Sequence, residues 1–283
     1  MAVARHGVGT RATVAAMASQ IHPVFMLPPV AAAWFGAIIA MEFSLITGGI
    51  HSLAIFAATY TAHVKDGYID FYVRGEDDDH PLTIEGCRVC LLGASTLFFA
   101  CLVGLWVAVD WIAVALTLPG WMIAYFHAPQ LDMNPVGATF GYPAGIGLAI
   151  VGGYYVQAGG IHPTALALAL VFVVLLGGVK TIDDTQDLAY DRSIEKRTIA
   201  AIFGKQTARS IAGLLMASAL VLILLFVLLS LIPRETIAAV VVFVPLALLG
   251  LRTDPEVGTA LLIRSSYLFL AILIAAVWFE PLG

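Results

Sequence analysis

The chain has 283 residues, of which 60% are hydrophobic and only 12% charged, with a formal net charge of −5. Soluble domains carry about twice that share of charge, so a water-soluble enzyme is excluded. No nucleic-acid partner is expected either.

The chain opens on MAVARHGVGTRATV, which has two arginines but no apolar core followed by a small-residue cleavage site. No removable signal peptide is expected, so the first long apolar segment stays as a transmembrane helix. Apolar stretches of about 20 residues, long enough to cross a bilayer as helices, then recur to the end. Their rough limits are 21–46, 48–64, 86–108, 110–126, 139–158, 161–181, 207–231, 235–251 and 259–279. No room is left between them for a soluble domain. The expected fold is all-α: one polytopic membrane domain over 1–283, with about nine helices around a central cavity in the lipid bilayer.

Charge interrupts this pattern in two places. Of 19 acidic residues, 12 lie in 66–85 and 183–195, and of 14 basic residues, nine lie in 65–88 and 180–209. Helix-by-helix alternation puts the N-terminus and the loops near 65–85, 127–138, 182–206 and 252–258 on one side. All basic residues except Arg234 fall on that side or at its boundary, which makes it cytoplasmic by the positive-inside rule. The other loops are tight turns. The working surface is therefore expected on the cytoplasmic face.

The first cluster, HVKDGYIDFYVRGEDDDHP, follows the second apolar run. Asp66 and Asp70 stand four residues apart, a spacing that shares one helix face. They are embedded among Val64, Tyr68, Ile69, Phe71 and Tyr72, where an ionised group is costly and usually functional. Glu76 to Asp79 read as a solvated loop. The second cluster, KTIDDTQDLAYDRSIEKRT, ends the sixth run. Lys180, Asp183, Asp187 and Asp191 fall on one stripe of helical period, and Asp184 lies about 100° off it. Cys87 and Cys90 form a C-x-x-C with no second ligand pair, so they read as small apolar filler.

Stacked carboxylates repel unless cations sit between them. Magnesium takes one or two carboxylates plus waters and substrate phosphates. Two carboxylate sets with lysines and arginines between them suit a diphosphate bridged by two Mg2+ ions, and so the ionisation of an allylic prenyl diphosphate. The resulting carbocation needs a dry cavity, which membrane burial supplies.

The two clusters resemble the two aspartate motifs of the UbiA superfamily of intramembrane prenyltransferases, whose members have nine transmembrane helices and motifs in the cytoplasmic loops after helices 2 and 6. The stretches GGYYVQAG (152–159) and DLAYDRSIEKRTIAAIFG (187–204) resemble dihydroxynaphthoate polyprenyltransferases in particular. Two positions depart from the pattern. The Asn-Asp that often opens the first motif is Ala62-His63 here, and Tyr125 of a Y-x-x-x-K motif is followed by Pro129 where lysine is expected. Asn134 and Asp132 are candidates to substitute in that loop.

The resemblance implies a Mg2+-dependent prenyltransferase that takes a polyprenyl diphosphate donor and a lipophilic acceptor. Asp66, Asp70, Asp187 and Asp191 would hold metal, with Asp183 as a further ligand or an acceptor-side group. Lys180, Arg74, Arg192 and Lys196 would hold the diphosphate, with Tyr125 and Asn134 on the substrate side. Arg264, an arginine inside the last apolar run, contacts the diphosphate or pairs with Asp254 or Glu256. The acceptor is an aromatic quinone precursor or, alternatively, a glycerol-phosphate ether lipid or a carotenoid. A secondary transporter that uses the carboxylates for ion coupling is a reading from another class. It would place them near the bilayer midplane on repeated halves, whereas these lie at one face.

Overall fold

Helix starts are written into this chain by short polar residues and prolines. Ser44, Thr83, Asp110 and Asn134 each accept a hydrogen bond from an otherwise orphaned N–H in the next helical turn. Pro23 and Pro163 open two other helices, and Pro135 follows the Asn134 cap, each at a position where no N–H is needed. The computed structural model describes residues 2–279. Residue 1 and residues 280–283, the ends of the expected domain 1–283, lie outside the described residues.

In order, the helices are α1 (Thr10–Ala18), α2 (Pro23–Ala40), α3 (Leu45–Tyr68), α4 (Ile84–Ala108), α5 (Trp111–Phe126) and α6 (Pro135–Ala158). They continue with α7 (Pro163–Asp183), α8 (Leu188–Ser193), α9 (Ile199–Phe203), α10 (Lys205–Leu228), α11 (Ile237–Arg252) and α12 (Pro255–Phe279). Wider π-helical turns extend α3 over Ile69–Arg74 and α5 over His127–Leu131. Among the described residues the one β contact is an isolated bridge between Ala4 and Leu82.

Nine of these helical runs are long and apolar enough to cross a bilayer, in agreement with the expected polytopic fold. Two limits differ in ways that matter. The first run ends at Ala40, where Met41 turns left-handed at φ 56°. The second was expected to stop near residue 64 but continues to Arg74, stopped by Gly75 at φ 65°. Asp66 and Asp70 therefore stand on a helix and not in a loop. The N-terminal α1 has no counterpart among the expected elements.

Lipid offers helices no hydrophobic reason to associate, so close packing has to come from small residues. A Cβ on Gly36 of α2 would lie 2.1 Å from the Ile150 carbonyl oxygen of α6, and one on Gly153 would lie 2.0 Å from that of Ala33. The two backbones touch at this crossing, and any side chain there would force them apart. Around it, Phe35, Phe172, Phe243 and Phe269 join α2, α7, α11 and α12 edge to face, at centroid spacings of 5.4–6.2 Å. A second core of Ala54, Ala57, Phe98, Leu105 and Ala113 joins α3, α4 and α5. Exposed Leu92, Val103, Leu228 and Val241 face outward, as lipid contact requires.

Tyr155 and Gln157, at the C-terminal end of α6, tie the end remote from the aspartates. The Tyr155 hydroxyl donates to Asp110 at 2.6 Å, and the Gln157 side chain accepts from the Ser44 N–H at 2.7 Å. Between the two cores α2, α3, α5, α6, α7 and α12 leave a cavity, to which α4, α10 and α11 contribute no wall.

Candidate active site

The interior holds two chambers of opposite chemistry that meet at Asp66, His127 and Lys180. The larger is a mostly apolar cavity of about 350 Å3, walled by residues such as Pro28, Ile55, Gly120, Ile146, Phe172 and Leu270. The smaller, about 170 Å3, is a charged vestibule at the helix ends.

The first wall of the vestibule is the continued α3. Asp66, Asp70 and Arg74 follow at four-residue steps along its last turns, so all three present one face. Arg74 donates to Asp70 at 3.1 Å and to Asp132 at 2.7 Å, which bridges α3 to the loop before α6.

The second wall is the end of α7. The Lys180 ammonium sits between Asp183 at 2.7 Å and Asp184 at 2.8 Å. The helix stops at Asp183, and the turn that follows changes which residues face inward. Asp184 is buried and lines the vestibule, whereas Asp187 is exposed and borders neither chamber. The stripe expected from period 3.6 holds only while the helix lasts, so Asp187 is displaced from the expected position and Asp184 is where a ligand would be.

Asp191 is buried at 2% exposure but faces its own loop. It accepts from Thr198 at 3.1 Å and pairs with Lys196 at 3.5 Å, which steers Lys196 into the vestibule.

Four other expected residues stand outside both chambers. Arg192 is exposed and donates to the Ala201 carbonyl at 3.2 Å, bracing α8 on α9. Arg264 is exposed on α12. Tyr125 stacks on Trp121, with the Lys65 ammonium over its ring at 3.9 Å. Asn134 caps α6.

Five carboxylates, Asp66, Asp70, Glu76, Asp132 and Asp184, face three cations, Arg74, Lys180 and Lys196. The vestibule carries an excess of two negative charges when all are ionised. Burial pushes the Asp184 carboxyl above the usual carboxylate range against the pull of Lys180, and burial with the nearby Asp70 does the same to Glu76. One oxygen on each of Asp132 and Asp184 is buried without a hydrogen-bond partner. Both residues line the vestibule, so two lone acceptors stand where a hard cation would complete them. Among the described residues, no three of His, Cys, Asp and Glu close on one point. The donor set fits an ion that shares its shell with waters and phosphate oxygens, as magnesium does.

The cavity mouth has a separate device. Pro28 and Pro29 lack the N–H groups that would bond the carbonyls of Val24 and Phe25, four residues back. Tyr267 of α12 donates to the Val24 carbonyl, and Tyr142 of α6 donates to that of Phe25 at 3.2 Å. The first turns of α2 are thus completed by neighbouring helices.

His127 and Asp184 line the vestibule, and neither stands among the candidate site residues read from the sequence. Asp184 had a signal in its i,i+4 spacing from Lys180. His127 had none, because its place depends on the π-helical extension of α5.

The sequence profile of the UbiA prenyltransferase family matches residues 87–273. No curated protein sequence matches the chain. The fold is similar to a UbiA homolog from Aeropyrum pernix K1, with TM-score 0.70 and 16% identity over 90% of this chain and 98% of that one. It is similar to a digeranylgeranylglyceryl phosphate synthase, with TM-score 0.73 and 14% identity over 95% and 99%. A third similar structure is a UbiA homolog from Archaeoglobus fulgidus bound to GPP and Mg2+, with TM-score 0.67 and 16% identity over 94% and 99%.

Proposed function

The chain belongs to the UbiA prenyltransferase family, and on that premise we propose that it moves a polyprenyl group from an allylic diphosphate to a lipophilic acceptor, with Mg2+ as cofactor. One observation carries the reading: a charged vestibule opens at Asp66 and Lys180 directly into a mostly apolar cavity. An amphiphile with a diphosphate head and an isoprenoid tail matches that division. The similar structure bound to GPP and Mg2+ supports the same donor class.

Arg74, Lys180 and Lys196 hold the diphosphate oxygens. Asp66, Asp70, Asp132 and Asp184 would hold the divalent cations. A bound allylic diphosphate adds about three negative charges to the existing excess of two, and two divalent ions bring the chamber close to neutral. When bound, the metal neutralises the leaving diphosphate.

The allylic C–O bond breaks at the boundary of the chambers, so the cation forms on the dry side. Pro28, Phe25, Tyr142 and Phe172 keep water away from it there, and the aromatic faces of the cavity stabilise it. The acceptor attacks from within the cavity and then loses a proton. We place the vestibule on the cytoplasmic face, because the basic residues gather at that end. The whole of 1–283 acts as one domain in this reading.

An aromatic quinone precursor is the acceptor favoured by the stretches 152–159 and 187–204. A glycerol-phosphate ether lipid is the second reading, supported by the similarity to a digeranylgeranylglyceryl phosphate synthase. The test is purified protein in detergent with labelled geranylgeranyl diphosphate and a panel of aromatic and glycerol-phosphate acceptors. Labelled product that disappears with EDTA and returns with Mg2+ supports the function, and the product's identity selects the acceptor. Full transfer in EDTA would overturn the metal assignment.

A further inference from the structure

Prenyl transfer leaves the acceptor with one proton too many, whether on a ring carbon or on an oxygen. That proton has to leave a mostly apolar cavity. The groups facing the cavity from each packed element are few. They are Asp66 and His63 of α3, His127 of the π-helical turn, Tyr142 of α6, Lys180 and Asp183 of α7, and Tyr267 of α12. The α5 wall supplies only Gly120, Ile123 and Ala124.

Most of these are committed. Lys180, paired with Asp183 and Asp184, has no free lone pair. Tyr142 and Tyr267 spend their hydroxyl protons on α2 carbonyls. Asp66 and His127 border the vestibule as well, among its charges.

His63 is different. It lies one turn before Asp66 on the cavity wall and does not border the vestibule. Among the described residues its ring makes only ring contacts: it stacks on His22 at a centroid distance of 5.0 Å and an angle of 16°, and meets Phe25 at 6.0 Å. His22 is exposed and sits just before α2. One face of the His63 ring thus looks toward the aqueous membrane face, while the residue lines the dry chamber. A neutral imidazole is the side chain best matched to take a proton near neutral pH.

We propose that His63 is the catalytic base of the proposed prenyl transfer, with His22 beside its route to water. The allylic C–O bond breaks and its electron pair leaves with the diphosphate. The acceptor's electron pair forms the new bond to the allylic carbon. The acceptor's C–H or O–H proton passes to a free imidazole nitrogen of His63, which becomes imidazolium. The proton is then released to water beside His22, and His63 is neutral for the next cycle. The inference rests on the prenyltransferase reading above.

The test compares His63→Gln and His63→Ala with the wild type in the same detergent assay, using an acceptor that the wild type prenylates. Product formation is expected to fall about 100-fold in both, the usual scale for a lost general base. Donor affinity is expected to fall much less than the rate, because His63 does not border the vestibule that takes the diphosphate. The acid limb of the wild-type pH–rate profile disappears in both variants. Added imidazole restores turnover to His63→Ala, which a merely structural histidine would not allow.

Product formation within about threefold of wild type in His63→Gln overturns the proposal. A donor affinity that collapses together with the rate, without imidazole rescue, overturns it too. A wild type that prenylates no acceptor is a separate failure: it removes the function on which the proposal stands, and the proposal with it.

Discussion

The two acidic arms of the vestibule share a spacing but not a construction. The α3 arm is one unbroken helix that carries Asp66, Asp70 and Arg74 through its π-helical last turn. The α7 arm is a helix that stops, so its ligand side is made of Lys180, a turn residue, Asp184, and a lysine returned from α8–α9, Lys196. The first arm fixes its carboxylates through backbone geometry. The second fixes them through ion pairs, with Lys180 between two carboxylates and Asp191 holding Lys196. Electrostatic partners thus do on one side what helical regularity does on the other.

The sharpest way to break this contrast is to remove carboxylates one at a time. Asp66→Ala and Asp70→Ala are expected to lower the initial rate of prenyl transfer by about 1000-fold, the upper range for loss of one pre-placed electrostatic group. Asp187→Ala, on the exposed side of the second arm, is expected to stay within about twofold in the same assay. Equal losses at Asp70 and Asp187 would mean that the second arm closes into a longer helix when it works.

Asp184→Asn separates function from stability within the second arm. The rate is expected to fall about 100-fold. Stability moves the other way. The folded-state pKa of Asp184 is raised by burial, so the folded protein holds that proton more tightly than the unfolded chain does. Stability is therefore lost as pH rises from the ordinary carboxylate value toward the raised one, and the asparagine variant escapes that loss. Melting of the two proteins in detergent should coincide near pH 4, and the variant should melt about 2 °C higher at neutral pH. Mg2+ with diphosphate narrows the gap by favouring the ionised wild-type carboxylate.

A further effect, on stability more than on rate, lies outside both arms. Tyr267→Phe leaves the Val24 carbonyl without its donor, at a cost of about 1–3 kcal/mol if water does not replace it. A melting temperature lower by about 3 °C with a rate within about threefold is expected. A rate loss as large as that of Asp70→Ala would place Tyr267 in the chemistry.

The nine spans were legible because 20 apolar residues in a row leave a chain little choice. Asp66 and Asp70 were legible because the helix bearing them continues, so four-residue spacing keeps its meaning. Asp187 was misplaced because spacing loses its meaning where a helix ends. The segment Asp183-Asp184-Thr185-Gln186-Asp187 holds no glycine or proline to announce the stop, only residues that compete weakly with the helix. Asp132 was offered by the sequence as a substitute in its loop, but its bridge from Arg74, 58 positions away, and the place of His127 on the π-helical turn of α5 are relations that no local pattern records. Arg264 and Arg192 looked functional because charge near lipid usually is. Both are exposed and border neither chamber.

The first turns of α2 hold no complete hydrogen-bond ladder of their own. Their two freed carbonyls are satisfied from α6 and α12, so this stretch is folded only while all three helices are docked. In amide deuterium exchange it should not fray residue by residue from its end. Residues 24–27 of α2 and the neighbouring turns around Tyr142 and Tyr267 should exchange together as one cooperative unit, at a rate set by their undocking.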